Sequence, residues 1–472
     1  MIRSGEVSSE EVVEAHIERI EAVNPRVNAV VADRFEAARG EARAADERRA
    51  RQAHQADRQP DSLPPLLGVP CTVKESIAVA GMPQSAGLVS RAQRVAAEDA
   101  PAVARLRAAG AIPLGVTNTS EVTFFPSASN RVYGRTRNAY DPDRIPGGSS
   151  GGEGAIIGAG GSPFGIGTDI GGSIRIPAFC NGVFGHKPTG GLVPGTGQYP
   201  QYTGRMQRFN TTGPLARRAE DLMPLLRILA GPDGADDQCT AMALGDPAAL
   251  DLAALRVIVV EGNARFSPVE GELRIAQQHA AYALAQRGAR VEMRVLPRLR
   301  DALEIYLGTL HEAGGADIAA ALGEGERVAL WRELARSLVG RSPHTTPVLI
   351  TALFERLGRF APRRLARYAS LGREVRAELE ALLGDDGVLL HPSARSLPPR
   401  LEREFVALFT FAYTALFNGL ELPATQVPLG LGEQGLPLGI QVAAARGCDH
   451  LTIAVAQALE ESHGGWLPPG RF

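Results

Sequence analysis

Residues 147–191 are the most glycine-dense part of the chain, and two segments there restrict what it can fold into. Gly147-Gly148-Ser149-Ser150-Gly151-Gly152 sets glycines on both sides of a serine pair. Without a Cβ, glycine reaches positive φ and lets a partner backbone approach closely. Flexible linkers share that composition, but this segment runs directly into Ala155-Ile156-Ile157-Gly158-Ala159, an apolar continuation. A nucleotide-binding P-loop needs Gly-Lys-Ser/Thr after its glycines, and none follows. The second segment is Gly165-Ile166-Gly167-Thr168-Asp169-Ile170-Gly171-Gly172-Ser173-Ile174-Arg175-Ile176-Pro177. It leaves Ser173 at the end of a glycine turn, where several backbone N–H groups can converge on a developing oxyanion. A plain glycine turn with a solvent-facing serine is the other reading.

The surrounding pattern is α/β. Residues 8–24 predict an amphipathic helix with Ser8 and Glu11 at capping-box spacing and Asn24-Pro25 as its stop. Residues 32–58 predict a second helix, and 58–65 a polar loop. Leu66 to Val73 reads as a buried strand that delivers Lys74. Asp99 is placed to cap a helix over 100–109 closed by Gly110, before a strand at Ile112 to Val116. Further strands are expected at Leu255 to Val260, 290–296, Val388 to Leu390 and Leu438 to Val442, with a helix at 272–287 ending at Gly288. This alternation predicts layered α/β architecture. Residues 300–380 carry helical patterns with Trp331, Phe354, Phe360 and Tyr368. With no repeat and no clear linker, residues 1–472 read as one large domain, with a core motif at about 66–215 and a variable substrate-access region at about 300–380.

Fifty basic and 52 acidic side chains leave a net charge of −2, which argues against a nucleic-acid partner. The Arg-rich stretches 43–58 and 363–376 are interleaved with Glu, Asp and Ala and read as solvated helix faces. Cys71, Cys180, Cys239 and Cys448 form no C-x-x-C pair and no metal spacing with histidine. That predicts neither a disulfide framework nor a metal, and fits a reducing, cytoplasmic setting. The N-terminal residues lack the apolar run of a signal peptide. No window of about 18 apolar residues predicts a transmembrane helix.

Lys74 stands at the end of an apolar strand. Burial would lower its pKa and make it a base near neutral pH. A lone lysine is ordinarily a surface charge, so Lys74 gains meaning only jointly with the two serines.

Taken together, these segments resemble the amidase signature family. The resemblance runs from Gly68-Val69-Pro70-Cys71-Thr72-Val73-Lys74 through Pro146 to Pro177 and on to Gly185-His186-Lys187-Pro188-Thr189. It returns at Phe417-Asn418-Gly419 and at Gly435-Leu436-Pro437-Leu438-Gly439-Ile440-Gln441, and is weakest over about 235–390. Ser-Ser-Gly-Gly-Glu-Gly-Ala-Ile-Ile-Gly is similar to the fatty acid amide hydrolase branch. The resemblance implies a single α/β/α domain with a mixed sheet flanked by helices. It also implies hydrolysis of an apolar acyl, aryl or fatty amide, or a carbamate, through an acyl-enzyme. Ser173 would be the nucleophile, Ser149 the bridging serine and neutral Lys74 the base. The backbone of Ile170, Gly171, Gly172 and Ser173 would form the oxyanion hole, and Thr123 an acyl-pocket position. That branch often has a larger apolar residue at the Thr123 position, which leaves long-chain preference open. Its mammalian members carry an N-terminal membrane helix; none is predicted here, and the chain starts part-way into the family's usual helical lead-in. No metal or organic cofactor is implied, the partner is a small-molecule amide, and a homodimer is compatible.

Two other functions compete. One component of a tRNA-dependent amidotransferase would need partner subunits, and the branch-specific motif and absent basic bias count against it. A non-catalytic binding module is disfavoured by the joint presence of Lys74, Ser149 and Ser173. Other residues keep two readings each. His186 could belong to a Ser-His-Asp set or to a family motif that often lacks histidine there. Asp169 and Arg175 could fix the nucleophile turn or move protons. Cys180 could be core or nucleophile. Phe405, Phe409, Phe411, Tyr413 and Phe417 could pack the core or line an acyl pocket, as could Phe124 and Phe125. Pro347 to Phe360, with Leu349, Ile350, Leu353, Phe354 and Leu357, could be a lid or ordinary packing.

Overall fold

The computed structural model describes residues 1–53, 63–261, 269–358 and 361–470. Its strands are β1 (Val30–Asp33), β2 (Pro70–Lys74), β3 (Ile112–Thr117), β4 (Ser129–Asn130), β5 (Gly134–Arg135), β6 (Phe164–Asp169) and β7 (Phe184–Lys187). They continue with β8 (Thr211–Ala216), β9 (Arg256–Val259), β10 (Arg290–Met293), β11 (Gly387–Pro392), β12 (Ala424–Leu431) and β13 (Pro437–Ala444). Eleven of them form one mixed sheet in the order β1-β3-β2-β6-β8-β7-β12-β13-β11-β9-β10, while β4 and β5 pair separately. β2 runs parallel to β3 and β6, and β9 parallel to β10 and β11. The other neighbours are antiparallel. Helices flank this sheet, as the α/β reading expects.

Parallel strands covered on both faces read as continuous apolar runs. That is why β2, β3, β9 and β11 are visible in the sequence, and each residue of β2 and β3 is buried. β6 is hidden in the sequence by Gly165 and Gly167. Its glycines answer a close approach: a Cβ on Gly165 would overlap the Glu153 carboxylate.

The predicted elements shift in places for physical reasons. The first helix, Ser9–Val27, has the Ser8–Glu11 capping box and buries Val13, Ile17 and Ile20. It passes through Pro25 instead of stopping there. Asn28, in the left-handed region, returns its N–H to Asn24 O at 2.8 Å, and the Asn24 side chain accepts from the Ala29 and Val30 N–H groups. Val30 to Asp33 pairs with β3, so the second helix starts at Phe35 and is described to Ala53. Residues 54–58, and the predicted loop up to residue 62, lie outside the described residues. Asp99 does not cap the helix Pro101–Ala108. It accepts from Ala80 N–H at 2.8 Å and pairs with Arg107 at 2.9 Å, and Pro101 with its preset φ begins the helix instead. Residues 300–380 fold into helices Ala302–Glu312, Ile318–Leu322, Leu330–Leu338, Thr346–Gly358 and Pro362–Leu383.

Ser8→Ala removes the side-chain arm of the capping box, leaving the backbone N–H of residue 8 on Glu11, and should lower unfolding free energy by about 1 kcal/mol, measurable by urea denaturation; an unchanged midpoint would mean the first helix gains nothing from that side chain.

Candidate active site

The mixed sheet brings three distant segments together. Lys74 is the last residue of β2, Ser149 directly precedes Ser150 and the helix Gly151–Gly158, and Ser173 lies between β6 and the helix Arg175–Cys180. The Gly148–Ser149 peptide is cis. Lys74 is fully buried, and its Nζ donates to Ser149 Oγ at 2.6 Å and to Thr168 Oγ1 at 2.7 Å. Burial pulls its pKa down to about 7, against the opposing charges of Asp169, Glu153 and Glu75. A lysine in this state sits near the midpoint between ammonium and amine at neutral pH, and the short contact to Ser149 lets a proton pass either way.

The turn that carries Ser173 is held by one carboxylate. Asp169 Oδ1 accepts the Gly172 N–H at 2.6 Å, and Oδ2 accepts the Ile174 N–H at 3.1 Å. Arg175 donates to both oxygens at 3.1 Å. Burial alone would raise the Asp169 carboxyl, but the charge and hydrogen bonds of Arg175 keep it at about 2. Arg175 then reaches Gln441 Oε1 at 2.8 Å and Asn418 Oδ1 at 2.7 Å, so β13 and the helix Ala412–Gly419 join the same network. Asn418 Nδ2 returns to the Asp169 carbonyl at 2.8 Å. From the same helix, Thr414 Oγ1 donates to Gly171 O at 2.7 Å. Gly172 has φ 121, and a Cβ there would overlap Thr414 Oγ1, so only glycine fits. Of the two readings of Asp169 and Arg175, the contacts are those of groups that fix the turn.

Ser173 is 9% exposed, and its carbonyl accepts the Ser150 N–H at 3.2 Å, which ties the two serine segments edge to edge. Among the described residues its hydroxyl has no side-chain partner. The Gly172 N–H is committed to Asp169, whereas the N–H groups of Gly171 and Ser173 have no loop or side-chain partner among the described residues. Ile170 is buried in an apolar cluster with Tyr202, Tyr306 and Leu310, against which Phe124 and Phe411 pack. Thr123, buried and at φ 63, ends the short turn Glu121–Thr123 that leads into Phe124.

The remaining candidates separate cleanly. His186 is fully buried on β7, bonding Thr425 Oγ1 at 2.8 Å and Asp449 Oδ1 at 3.1 Å, so its acidic partner is in the C-terminal helix and no bond links it to Ser173. Cys180 is buried, and burial raises its thiol pKa well above the ordinary value. Phe417 is core, Phe411 packs edge-on against Tyr306 beside Gly171, and the half-exposed Phe405 stands edge-on to Phe125. The Phe409 side chain lies outside the described residues. In the helix Thr346–Gly358, Val348, Leu349 and Ala352 are packed while Phe354 and Leu357 are exposed. Residues 359–360 lie outside the described residues.

Sequence reasoning missed Thr168 and Glu153. Thr168 stands out only as the polar residue that precedes Asp169 in a strand of glycine and apolar residues. Glu153 is fully buried and accepts from Thr72 Oγ1 at 2.7 Å and Thr117 Oγ1 at 2.8 Å. Burial pushes its pKa up to about 8 despite those bonds and the nearby Lys74 charge. Its signal was a carboxylate flanked by Gly152 and Gly154 in an otherwise apolar helix.

A family model described as Amidase matches residues 11–453. Fatty-acid amide hydrolase 2-A of Danio rerio is 45% identical over 482 residues, covering 100% of this chain and 88% of that protein. A glutamyl-tRNA(Gln) amidotransferase component of Roseiflexus castenholzii is more distant, at 31% identity over 94% of this chain and 90% of that protein. The solved structure of 6-aminohexanoate cyclic dimer hydrolase superposes with a TM-score of 0.79 at 29% identity, covering 98% of this chain and 95% of that one.

Asp169→Asn would leave the Arg175 guanidinium buried without a counter-charge and should destabilise the protein by about 3–5 kcal/mol, read by urea denaturation; a loss below about 1 kcal/mol would show that Gln441 and Asn418 suffice to hold Arg175.

Proposed function

Because this chain belongs to the amidase family and hydrolyses the carbon–nitrogen bond of linear amides, we propose that Ser173 is its nucleophile, Ser149 the proton relay and Lys74 the base. The observation that carries the reading is the 2.6 Å contact between the buried Lys74 Nζ and Ser149 Oγ. A serine hydroxyl is a weak nucleophile at neutral pH and needs a base. Neutral Lys74 takes the Ser149 proton as Ser149 takes that of Ser173. Ser173 Oγ then attacks the amide carbonyl carbon. The free N–H groups of Gly171 and Ser173 face the developing oxyanion, with Ile170 and Gly172 completing the turn that aims them. The relay returns the proton to the departing amine, leaving an acyl-enzyme. Water enters, gives its proton along the same path, and releases the acid. This is the serine–lysine form of triad logic.

The acyl group lies against Thr123, Phe124 and the Ile170–Tyr202–Tyr306 cluster, an apolar wall suited to fatty or aryl acyl groups. The more distant amidotransferase reading would call for partner subunits. Among the described residues no helix is long and apolar enough to cross a membrane. Four free, buried cysteines fit the reducing cytoplasm that we assign.

A fluorophosphonate probe should label Ser173, and the adduct is located by peptide mass spectrometry. Ser173→Ala should lose the label and at least ~10³-fold in anilide hydrolysis, with Lys74→Ala also severely impaired; an adduct on any other residue would refute the assignment. Since the amine form of Lys74 is the base, kcat/KM should rise with pH through about 7 and fall away in acid as the ammonium forms. Thr168→Val, which removes one bond to Nζ, should displace that limb; a profile flat from pH 6 to 8 would exclude a titrating Lys74.

A further inference from the structure

Glu121 is a buried carboxylate with no part in the relay. It is 1% exposed and opens the turn that ends in Thr123. Its Oε1 accepts His344 Nδ1 at 2.7 Å, while Oε2 accepts the Thr345 N–H at 2.7 Å and Thr345 Oγ1 at 2.8 Å. These partners lie more than 220 residues away, in the connection between the helices Leu330–Leu338 and Thr346–Gly358. The connection is held once more by Arg131, whose Nε donates to His344 O at 3.0 Å, and within it the His344 N–H donates to Ser342 Oγ at 3.2 Å. Ser342 Oγ in turn donates to Glu333 at 2.9 Å, which carries the chain of bonds into the first of the two helices.

Directly after Glu121, Val122 and Thr123 take φ values of 45 and 63. β-branched residues rarely adopt that region, and such a backbone persists only where its surroundings over-determine it. Here the surroundings are the two helices, Ile318 and the 86–88 segment, whose Ala86 carbonyl accepts the Val122 N–H at 2.8 Å. Val122 is fully buried in a cluster with Ile318, Leu330, Val348 and Leu349. The next residue but one, Phe124, packs against this cluster and also against the cluster that contains Ile170 of the nucleophile turn. A continuous line of contacts therefore runs from the helical pair, through Glu121, Val122 and Phe124, to the cluster that contains Ile170.

We infer that Glu121 is a positioning residue that fastens the helical pair 330–358 to the acyl-side wall, so that this pair decides which acyl groups reach Ser173. The inference rests on the amidase reading of the site. Glu121 touches no reacting atom, so its loss should alter selectivity and leave the chemistry intact.

Glu121→Leu keeps a side chain of similar size but has no acceptor, so none of the three bonds can form. His344→Ala and Thr345→Val test the same clamp from its other end, should the first variant fold poorly. The readout is the rate at which Ser173 is labelled by methyl and by dodecyl fluorophosphonate, together with kcat/KM for anilides from acetyl to dodecanoyl. The dodecyl-to-methyl ratio should fall by about tenfold in each variant, with the methyl rate within about twofold of the parent. KM should rise for long-chain anilides while kcat for the acetyl anilide is kept, and amide hydrogen exchange over 330–358 should quicken. The double variant Glu121→Leu/His344→Ala should be no worse than either single, since both break one clamp. An unchanged ratio, or equal loss of both labelling rates, would overturn the inference and leave Glu121 a residue of stability alone. If the parent protein labels but hydrolyses no anilide, the amidase reading fails, while the labelling ratio still decides the role of Glu121.

Discussion

The site hangs on the buried ion pair between Asp169 and Arg175. Asp169 ends β6 and gathers the N–H groups that shape the turn around Ser173, and Arg175 opens the helix on its far side. A buried pair like this is weak evidence for stability, because desolvating both charges offsets most of their attraction. What it gives is a fixed direction. Gln441 and Asn418, from the C-terminal third of the chain, accept two further N–H groups of the guanidinium. The turn around Ser173 is thereby set by residues that lie, along the chain, on both sides of the helices within 300–380.

Lys74 works under the opposite constraint. Among the described residues its cation has no carboxylate at bonding distance, only two hydroxyls, so burial is only partly compensated and its pKa falls to about 7. Glu153 nearby is likewise bonded only to threonine hydroxyls and favours its neutral form. Two ionisable groups drawn toward neutrality lie in the same buried interior as an ion pair that stays charged. The same low-dielectric interior yields both outcomes, and the difference is whether an opposite charge is within reach.

How much of this is legible in the sequence follows from chain distance. The Ser8–Glu11 cap, the β2 and β3 runs and the helix that ends before Gly288 rest on residues adjacent in the chain, and they are found where the pattern puts them. Lys74, Ser149 and Ser173 stand out by motif, and Lys74 and Ser149 meet in space. β6 and β8 escape notice because their glycines and the proline of β8 are poor strand signals; their reason for being strands lies in the tight approach of Glu153 and in pairing with each other. Asp99 misleads because a side chain two residues before a helix can serve a neighbouring loop as readily as a cap. The bonds of Glu121 to His344 and Thr345 span too much chain for any local pattern to reveal.

The four cysteines have a practical consequence. Cys71, Cys180, Cys239 and Cys448 are all unpaired and buried, and burial raises each thiol above its ordinary pKa. Thiolate is the reactive species, so each is slow toward alkylating and oxidising reagents while the fold is intact. Chemically, the folded surface is blank to maleimides. A single cysteine placed at exposed Leu338 would be the one fast-reacting thiol, giving a spectroscopic handle on the outer helices without first stripping the native residues. Conversely, the appearance of four additional reactive thiols would serve as an internal gauge of unfolding.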